Sequence, residues 1–339
     1  MKAWVLQGGF GLSHLHWTDV PIPTPGPHQI LVRLHAASLN YRDILIVEGA
    51  YNPRLALPRI LGSDGAGEVV AVGSQVQRFR PGERVVGCFM QSWIDGPLTD
   101  EAARSTLGAD RDGTFAEYVL LEQDAALAIP PGYSFVQAAT WPCAALTAWN
   151  ALVSAGCGPG QTVLLLGTGG VSLFGLQLAK AYKARVLLLS GQETKRQRAE
   201  ALGADATANY RTLPEWDRWV REQTGGRGAD LILEVGGAGT LERSLRAIRR
   251  GGTIALIGVL AGRGTIDPML ILMKAVRLQG IFVGSRRQLE EMSRFMVQHA
   301  LVPVIDRCYP WTELPTALEC LRKGEHFGKI VLEIIPQGG

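Results

Sequence analysis

Apolar and polar positions alternate in two regimes along this chain. Up to about residue 128 the apolar residues come in short runs, 3–6, 29–36, 67–72, 84–88 and 116–121, parted by turn segments such as Pro21-Ile22-Pro23-Thr24-Pro25-Gly26-Pro27 and Arg80-Pro81-Gly82-Glu83. Short strands at that spacing predict a small barrel-like or sandwich-like β domain. The stretch from about 91 to 114 carries Trp93, Asp95 and several small and acidic residues, and it predicts an irregular surface lobe.

From about Ser134 the period lengthens. Residues 136–139 and 143–152 read as helices, and 163–166 as a buried strand. Gly167-Thr168-Gly169-Gly170 breaks that strand, an apolar helix runs to about Lys183, and a second strand follows at 186–189. The alternation continues with helices at 193–202, 214–223 and 241–248, a segment around 269–273, and strands at 206–209, 230–235, 253–257 and 276–283. This is the pattern of a doubly wound parallel sheet of about six strands. After Gln288 come an amphipathic helix, breaks at Pro303 and Pro310, a helix at 314–321 and a strand at 329–335. With the parallel sheet already complete, this last stretch is expected to return to the first domain.

The glycine turn adds chemistry to the pattern. In a strand–turn–helix unit, glycines let a dinucleotide pyrophosphate approach the backbone, and the free amides at the helix start attract its charge. The fingerprint here is Gly167-x-Gly169-x-x-Ser172, with serine in the third glycine position, where a hydroxyl can donate to phosphate. A plain glycine turn is the competing reading.

Composition changes the picture little. The chain has 339 residues, 47% of them hydrophobic and 19% charged, and a net charge of +3, which suits two globular domains and excludes a nucleic-acid surface or a membrane span. Its N-terminal residues reach glycines before any secretory apolar core, and the expected location is cytoplasmic. Cys88, Cys143, Cys157, Cys308 and Cys320 are scattered without a CxxC pair, as reduced thiols would be.

Taken together, several stretches resemble the medium-chain dehydrogenase/reductase superfamily. They are Gly62-Ser63-Asp64-Gly65-Ala66-Gly67-Glu68-Val69-Val70, Phe79-Arg80-Pro81-Gly82-Glu83-Arg84-Val85-Val86-Gly87, Gly113-Thr114-Phe115-Ala116-Glu117-Tyr118-Val119, the glycine turn with Val171, Glu234-Val235-Gly236-Gly237, and His326-Phe327-Gly328-Lys329-Ile330-Val331. The resemblance covers nearly the whole chain. It implies an α/β protein with a GroES-like β-rich catalytic domain over 1–145, a Rossmann cofactor-binding domain over 146–288, a return to the catalytic domain over 289–339, and a cleft for a nicotinamide.

Departures from the family pattern sharpen the expectation. Where the zinc branch has its first cysteine, its histidine followed by glutamate, and its second cysteine, this chain has Asn40, Ser63-Asp64 and Cys143. Amide and hydroxyl groups bind zinc poorly, so no metal is expected. The segment Ser38-Leu39-Asn40-Tyr41-Arg42-Asp43, with Tyr51 beyond it, resembles the quinone oxidoreductase and enone reductase branch. That resemblance implies hydride transfer to a carbon conjugated with a carbonyl, with Asn40 and Tyr41 on the carbonyl oxygen and a proton from Tyr41, Tyr51 or water. Asp43 is expected to be structural, and Cys143 a small buried hydrophobe.

The second strand of the glycine-turn unit ends at Ser190 rather than at an acid, and Lys195 and Arg196 follow with Arg198 beyond them, so the expected cofactor is NADPH. The remaining cofactor positions implied by the resemblance are Thr147, Gly167, Thr168, Gly169, Gly170, Val171, Tyr210, Gly236, Gly258, Val259, Val283 and Lys329, the last as a cation for the phosphates. The edge near 283–286 is expected to pair with a second subunit. An alcohol dehydrogenase or carbonyl reductase of the same superfamily, and a non-catalytic NADPH-binding protein, are the alternative functions.

Overall fold

The computed structural model describes residues 1–258 and 264–335. The chain forms two compact units, one of Met1–Leu146, Gly284–Gln298 and residues from Ile305 onward, the other of Thr147–Val283 and His299–Val304.

The second unit is built on a six-stranded parallel sheet. Its strands lie in the order Ala206–Asn209, Arg185–Ser190, Thr162–Leu166, Ala229–Glu234, Ile248–Leu256 and Arg277–Gly280. Numbered along the chain this is 3-2-1-4-5-6, the doubly wound order whose direction reverses between the first and fourth strands. Both of those strands are buried at every position, as expected of parallel strands covered on both faces. The helix Gly170–Ala181 packs close through Gly175, where a Cβ would lie 2.9 Å from Leu233 and 3.1 Å from Leu165. The sixth strand ends at Gly280 rather than continuing to 283, because its neighbour Ile248–Leu256 offers no partner beyond Leu256.

The first unit holds a seven-stranded sheet and a three-stranded one. Its long strand Gln29–Ser38 pairs with Asp64–Val72, Tyr118–Glu122 and the late strand Lys329–Glu333. Trp17 lies between Trp4 and Trp311, with centroids 5.3 and 4.2 Å away, and the Trp4 Nε1–H donates to the Trp311 carbonyl at 2.9 Å.

The structure corrects two local readings of the sequence and fills one stretch left unassigned. Residues 41–47, unassigned by periodicity, form the helix Tyr41–Val47. The helix expected at 143–152 is a π-turn over Trp141–Ala145 followed by Leu146–Ser154, with Pro142 unable to donate in the first turn. The lobe at 91–114 is not all surface, since Leu107 and Ala109 belong to the core. It is held by Gly113, whose Cβ would sit 2.1 Å from the Gly62 carbonyl, and by Gly108, which adopts φ 75 against Gly62.

Candidate active site

Strand register assembles one polar cluster in the first unit. Asn40 is the N-cap of the helix Tyr41–Val47, and the third helical residue, Asp43, turns back so that its Oδ2 accepts the Asn40 backbone N–H at 2.8 Å. Ser38 pairs with Asp64 across one strand junction, and the Leu39 N–H donates to the Ile330 carbonyl at 3.0 Å across another. Those pairings bring Ser63, Asp64 and Lys329 to Asn40.

The hydrogen bonds within the cluster run from cation to carboxylate. Lys329 Nζ donates to the Leu39 carbonyl and to Asn40 Oδ1, each at 2.6 Å. Asn40 Nδ2 faces Ser63 Oγ at 3.4 Å, Ser63 Oγ–H donates to Asp64 Oδ1 at 2.7 Å, and the Cys143 backbone N–H donates to Asp64 Oδ2 at 3.2 Å. Burial raises the Asp64 carboxyl above its ordinary range, opposed chiefly by the Lys329 charge. It also raises the thiol of the partly buried Cys143. Lys329 is 3% exposed.

Arg42 ties the cluster to the lobe. Its guanidinium donates to the Leu107 carbonyl at 2.9 Å and to Thr106 Oγ1 at 3.0 Å, and it lies 4.9 Å from the Tyr51 ring centroid and 4.6 Å from that of Phe89. Tyr51 and Tyr41 are both more than a third exposed, with their phenols outside the buried chain.

Asp43 holds the start of the helix Tyr41–Val47 through the Asn40 N–H. Burial pushes its carboxyl from 3.8 up to about 6, despite the adjacent Arg42 charge. The folded state thus binds this proton more tightly than the unfolded chain, and the stability it confers is lost as pH rises from about 4 to about 6. Asp43→Asn, which keeps an acceptor for Asn40, is expected to gain on the order of 2–3 kcal/mol relative to wild type between pH 4 and pH 7. Urea midpoints of both proteins at the two pH values check it; parallel pH dependences would refute it.

A zinc ion does not suit this donor set. Zinc takes anionic or imidazole ligands, whereas Asn40 offers a neutral oxygen already bonded to an ammonium and Ser63 a hydroxyl engaged with Asp64. Among the described residues no group of three or more His, Cys, Asp or Glu side chains is placed to hold a metal.

The second unit fits a dinucleotide. Gly167 adopts φ 76, and a Cβ on Gly167 or Gly169 would meet nothing within 4 Å, which leaves open space over the turn where a pyrophosphate would lie. Thr168 completes the turn, and Gly170 and Val171 begin the helix whose first amides face that space. Ser172 is no phosphate donor, since its hydroxyl donates to the Leu166 carbonyl at 2.7 Å. Gly175 supplies the close helix–strand approach that the third glycine of the fingerprint normally provides.

At the end of the strand Arg185–Ser190 lies the expected ribose region. Ser190 is buried, and its hydroxyl lies 3.4 Å from the Gln192 N–H. Lys195, in the first turn of the helix Glu193–Ala201 that follows, is 7% exposed. Arg196 instead binds Glu193 at 2.7 Å and Thr207 Oγ1 at 3.0 Å. Tyr210 is joined by a cation that sequence spacing does not single out, Arg211. A Cβ on Gly191 would sit 2.7 Å from the Tyr210 hydroxyl and 2.8 Å from Arg211 Nε, so both side chains close over Ser190's neighbour.

Other assigned positions have structural causes of their own. Gly258 must be glycine because a Cβ would lie 1.8 Å from the Val235 carbonyl, and Gly236 donates its N–H to the buried Glu234 carboxylate at 2.9 Å. Glu234 also accepts from Gly237 and Thr240, fixing the turn at the end of the fourth strand. Val283 adopts φ 58, a conformation that costs a β-branched residue roughly 1–3 kcal/mol and is held by Asn150 donating to its carbonyl at 2.7 Å. Thr147 lies buried on the same helix as Asn150. Val259 lies outside the described residues.

Comparison with known proteins follows both units. Residues 26–131 match the alcohol dehydrogenase GroES-like domain, and 170–298 match the zinc-binding dehydrogenase family. A zinc-type alcohol dehydrogenase-like protein of Schizosaccharomyces pombe is 41% identical, with 96% of each chain covered. Human quinone oxidoreductase is 29% identical over 93% of this chain and 92% of its own. Among solved structures, a candidate alcohol dehydrogenase of Sinorhizobium meliloti 1021 superposes with a TM-score of 0.91 at 44% identity, covering 98% of both chains. An NAD-dependent alcohol dehydrogenase superposes at 0.90 and 36% identity, covering 99% of this chain and 100% of its own.

Proposed function

Since the chain belongs to the medium-chain dehydrogenase/reductase superfamily and is an oxidoreductase of that group, we propose that it is a zinc-independent, NADPH-dependent reductase of enones, enals or quinones. The observation that carries this reading is Lys329 Nζ, 2.6 Å from Asn40 Oδ1, a fixed cation bonded to the residue that stands where the resemblance gives the zinc branch its first ligand. A second cation there would be repelled, so the substrate must bring its own activation. Conjugation does so, because it spreads the developing charge onto a carbonyl oxygen.

NADPH supplies the hydride when bound. The chain's own residues do the rest. Asn40, its oxygen turned to Lys329 and one N–H toward Ser63 and Asp64, has its second N–H to offer the carbonyl oxygen as negative charge develops. Tyr51, its ring braced on Arg42, and Tyr41 are the exposed phenols from which a proton is drawn, or through which water delivers one. Ser190, Lys195, Tyr210 and Arg211 give the adenosine end hydrogen-bond donors and positive charge that suit a 2′-phosphate.

The second reading is an alcohol dehydrogenase or carbonyl reductase that works without metal, favoured by the likeness to the NAD-dependent alcohol dehydrogenase. NADPH oxidation with a quinone, an enone and a simple aldehyde, together with elemental analysis, separates them. Turnover of quinone or enone by metal-free protein supports the first reading; turnover of aldehyde alone, or stoichiometric zinc, overturns it.

The working form is a homodimer joined along the edge strand Arg277–Gly280. Just before that strand in the chain, the helix Pro268–Lys274 has no buried residue and presents Met269, Leu272 and Met273 at 52%, 69% and 62% exposure. Leu272→Glu with Met273→Lys is expected to yield a monomer by light scattering, and an unchanged dimer would place the interface elsewhere.

A further inference from the structure

Lys329 is buried, and its Nζ donates to one backbone carbonyl and one carboxamide, with the Asp64 carboxylate near enough to feel its charge. That placement assigns direction. An ammonium only donates, so the Asn40 atom 2.6 Å from Nζ must be the carbonyl oxygen, and Nδ2 must be on the opposite edge. An asparagine without such a partner can present either edge, and its oxygen facing a substrate carbonyl would repel it.

The rest of the chain of bonds enforces the same sense. The hydroxyl proton of Ser63 is committed to Asp64 Oδ1 at 2.7 Å, so Ser63 Oγ can only accept from Asn40. That contact is long, at 3.4 Å, and the Asp64 carboxylate also takes a hydrogen bond from the Asn40 side chain, so one N–H is held on the Ser63–Asp64 side and the second is left to donate elsewhere. A charge-assisted bond on Oδ1 also polarises the carboxamide and strengthens its N–H groups as donors.

We propose that Lys329 is a positioning residue: it locks Asn40 with its N–H edge toward the substrate carbonyl oxygen and raises the donor strength of that edge. The proposal rests on the reading of Asn40 as the group that binds the carbonyl oxygen. It differs from a role for Lys329 as a cation for the cofactor phosphates, and the two predict different kinetics.

The test uses the full-length enzyme with Lys329→Gln and Lys329→Met, alone and combined with Asn40→Ala. NADPH affinity is measured by fluorescence titration, and kcat with the best acceptor found for the wild type. Positioning predicts kcat in the order Lys, Gln, Met, because glutamine keeps an N–H donor without the charge, with Met about 10–100-fold below wild type. It predicts NADPH affinity within about twofold throughout, and a double variant no slower than Asn40→Ala alone. Equal loss of NADPH affinity in both Lys329 variants, or losses that multiply with Asn40→Ala, would overturn it in favour of the phosphate role. If Lys329→Met does not fold, by circular dichroism, the glutamine variant alone decides between these outcomes. A wild type that reduces only aldehydes would defeat the enone reading, yet the coupling between Lys329 and Asn40 would still be measurable.

Discussion

Asn40→Ala is expected to lower kcat by about 10²–10³-fold, the usual consequence of removing one donor from a developing oxyanion, while the KM for NADPH moves less than about twofold. The substitution takes away both the amide edge and the acceptor that Lys329 holds at 2.6 Å. The helix Tyr41–Val47 keeps its start, because the Asp43 carboxylate holds the residue-40 backbone N–H, which alanine also has. Asn40→Asp separates these effects. The carboxylate keeps the partnership with Lys329, but it has no N–H to offer. It is therefore expected to be as slow as the alanine variant and close to wild type in thermal stability. An aspartate variant with near-wild-type kcat would show that Asn40 shapes the site without binding the carbonyl oxygen.

The fold was legible where periodicity and punctuation agree. Thr162–Leu166 is a run of buried apolar residues stopped by Gly167, and the alternation after it admits few topologies other than the order observed. Legibility failed where apolar residues carry no period. Tyr41–Val47 reads Tyr-Arg-Asp-Ile-Leu-Ile-Val, rich in strand formers, and it becomes helical because Asp43 caps it and its apolar side packs into the core. The lobe at 91–114 looked solvated because its charged residues are frequent, yet glycine contacts with Gly62 draw Leu107 and Ala109 inward.

The site was legible residue by residue and illegible as a network. Asn40 and Lys329 were each singled out, but for different tasks, since 289 positions separate them and only the strand register shows that they touch. Ser172 looked like a substitute phosphate ligand because the fingerprint counts positions and not hydroxyl partners. Gly175 escaped notice for the same reason, lying one turn beyond the expected third glycine. Arg211 could have been found by asking why residue 191 is glycine next to Ser190.

Reversal of cofactor preference is the second large effect expected. Ser190→Asp combined with Lys195→Ala should weaken NADPH binding by about 10²–10³-fold, because each lost or opposed charged contact to phosphate is worth about 1.5–3 kcal/mol. NADH should not suffer that loss. It has no 2′-phosphate for the new carboxylate to repel, and the two ribose hydroxyls can donate to an acid at the end of the second strand. The burial of Ser190 and Lys195, at 2% and 7% exposure, makes the electrostatic part large, since solvent screens a buried contact poorly. Arg211→Ala, at an exposed position, should have a smaller effect that fades as salt is raised. Fluorescence titration with both cofactors gives the ratio directly. If the double variant kept the wild-type ratio, the 2′-phosphate would have to be held by other residues, and the assignment of NADPH from Ser190 would fail with it.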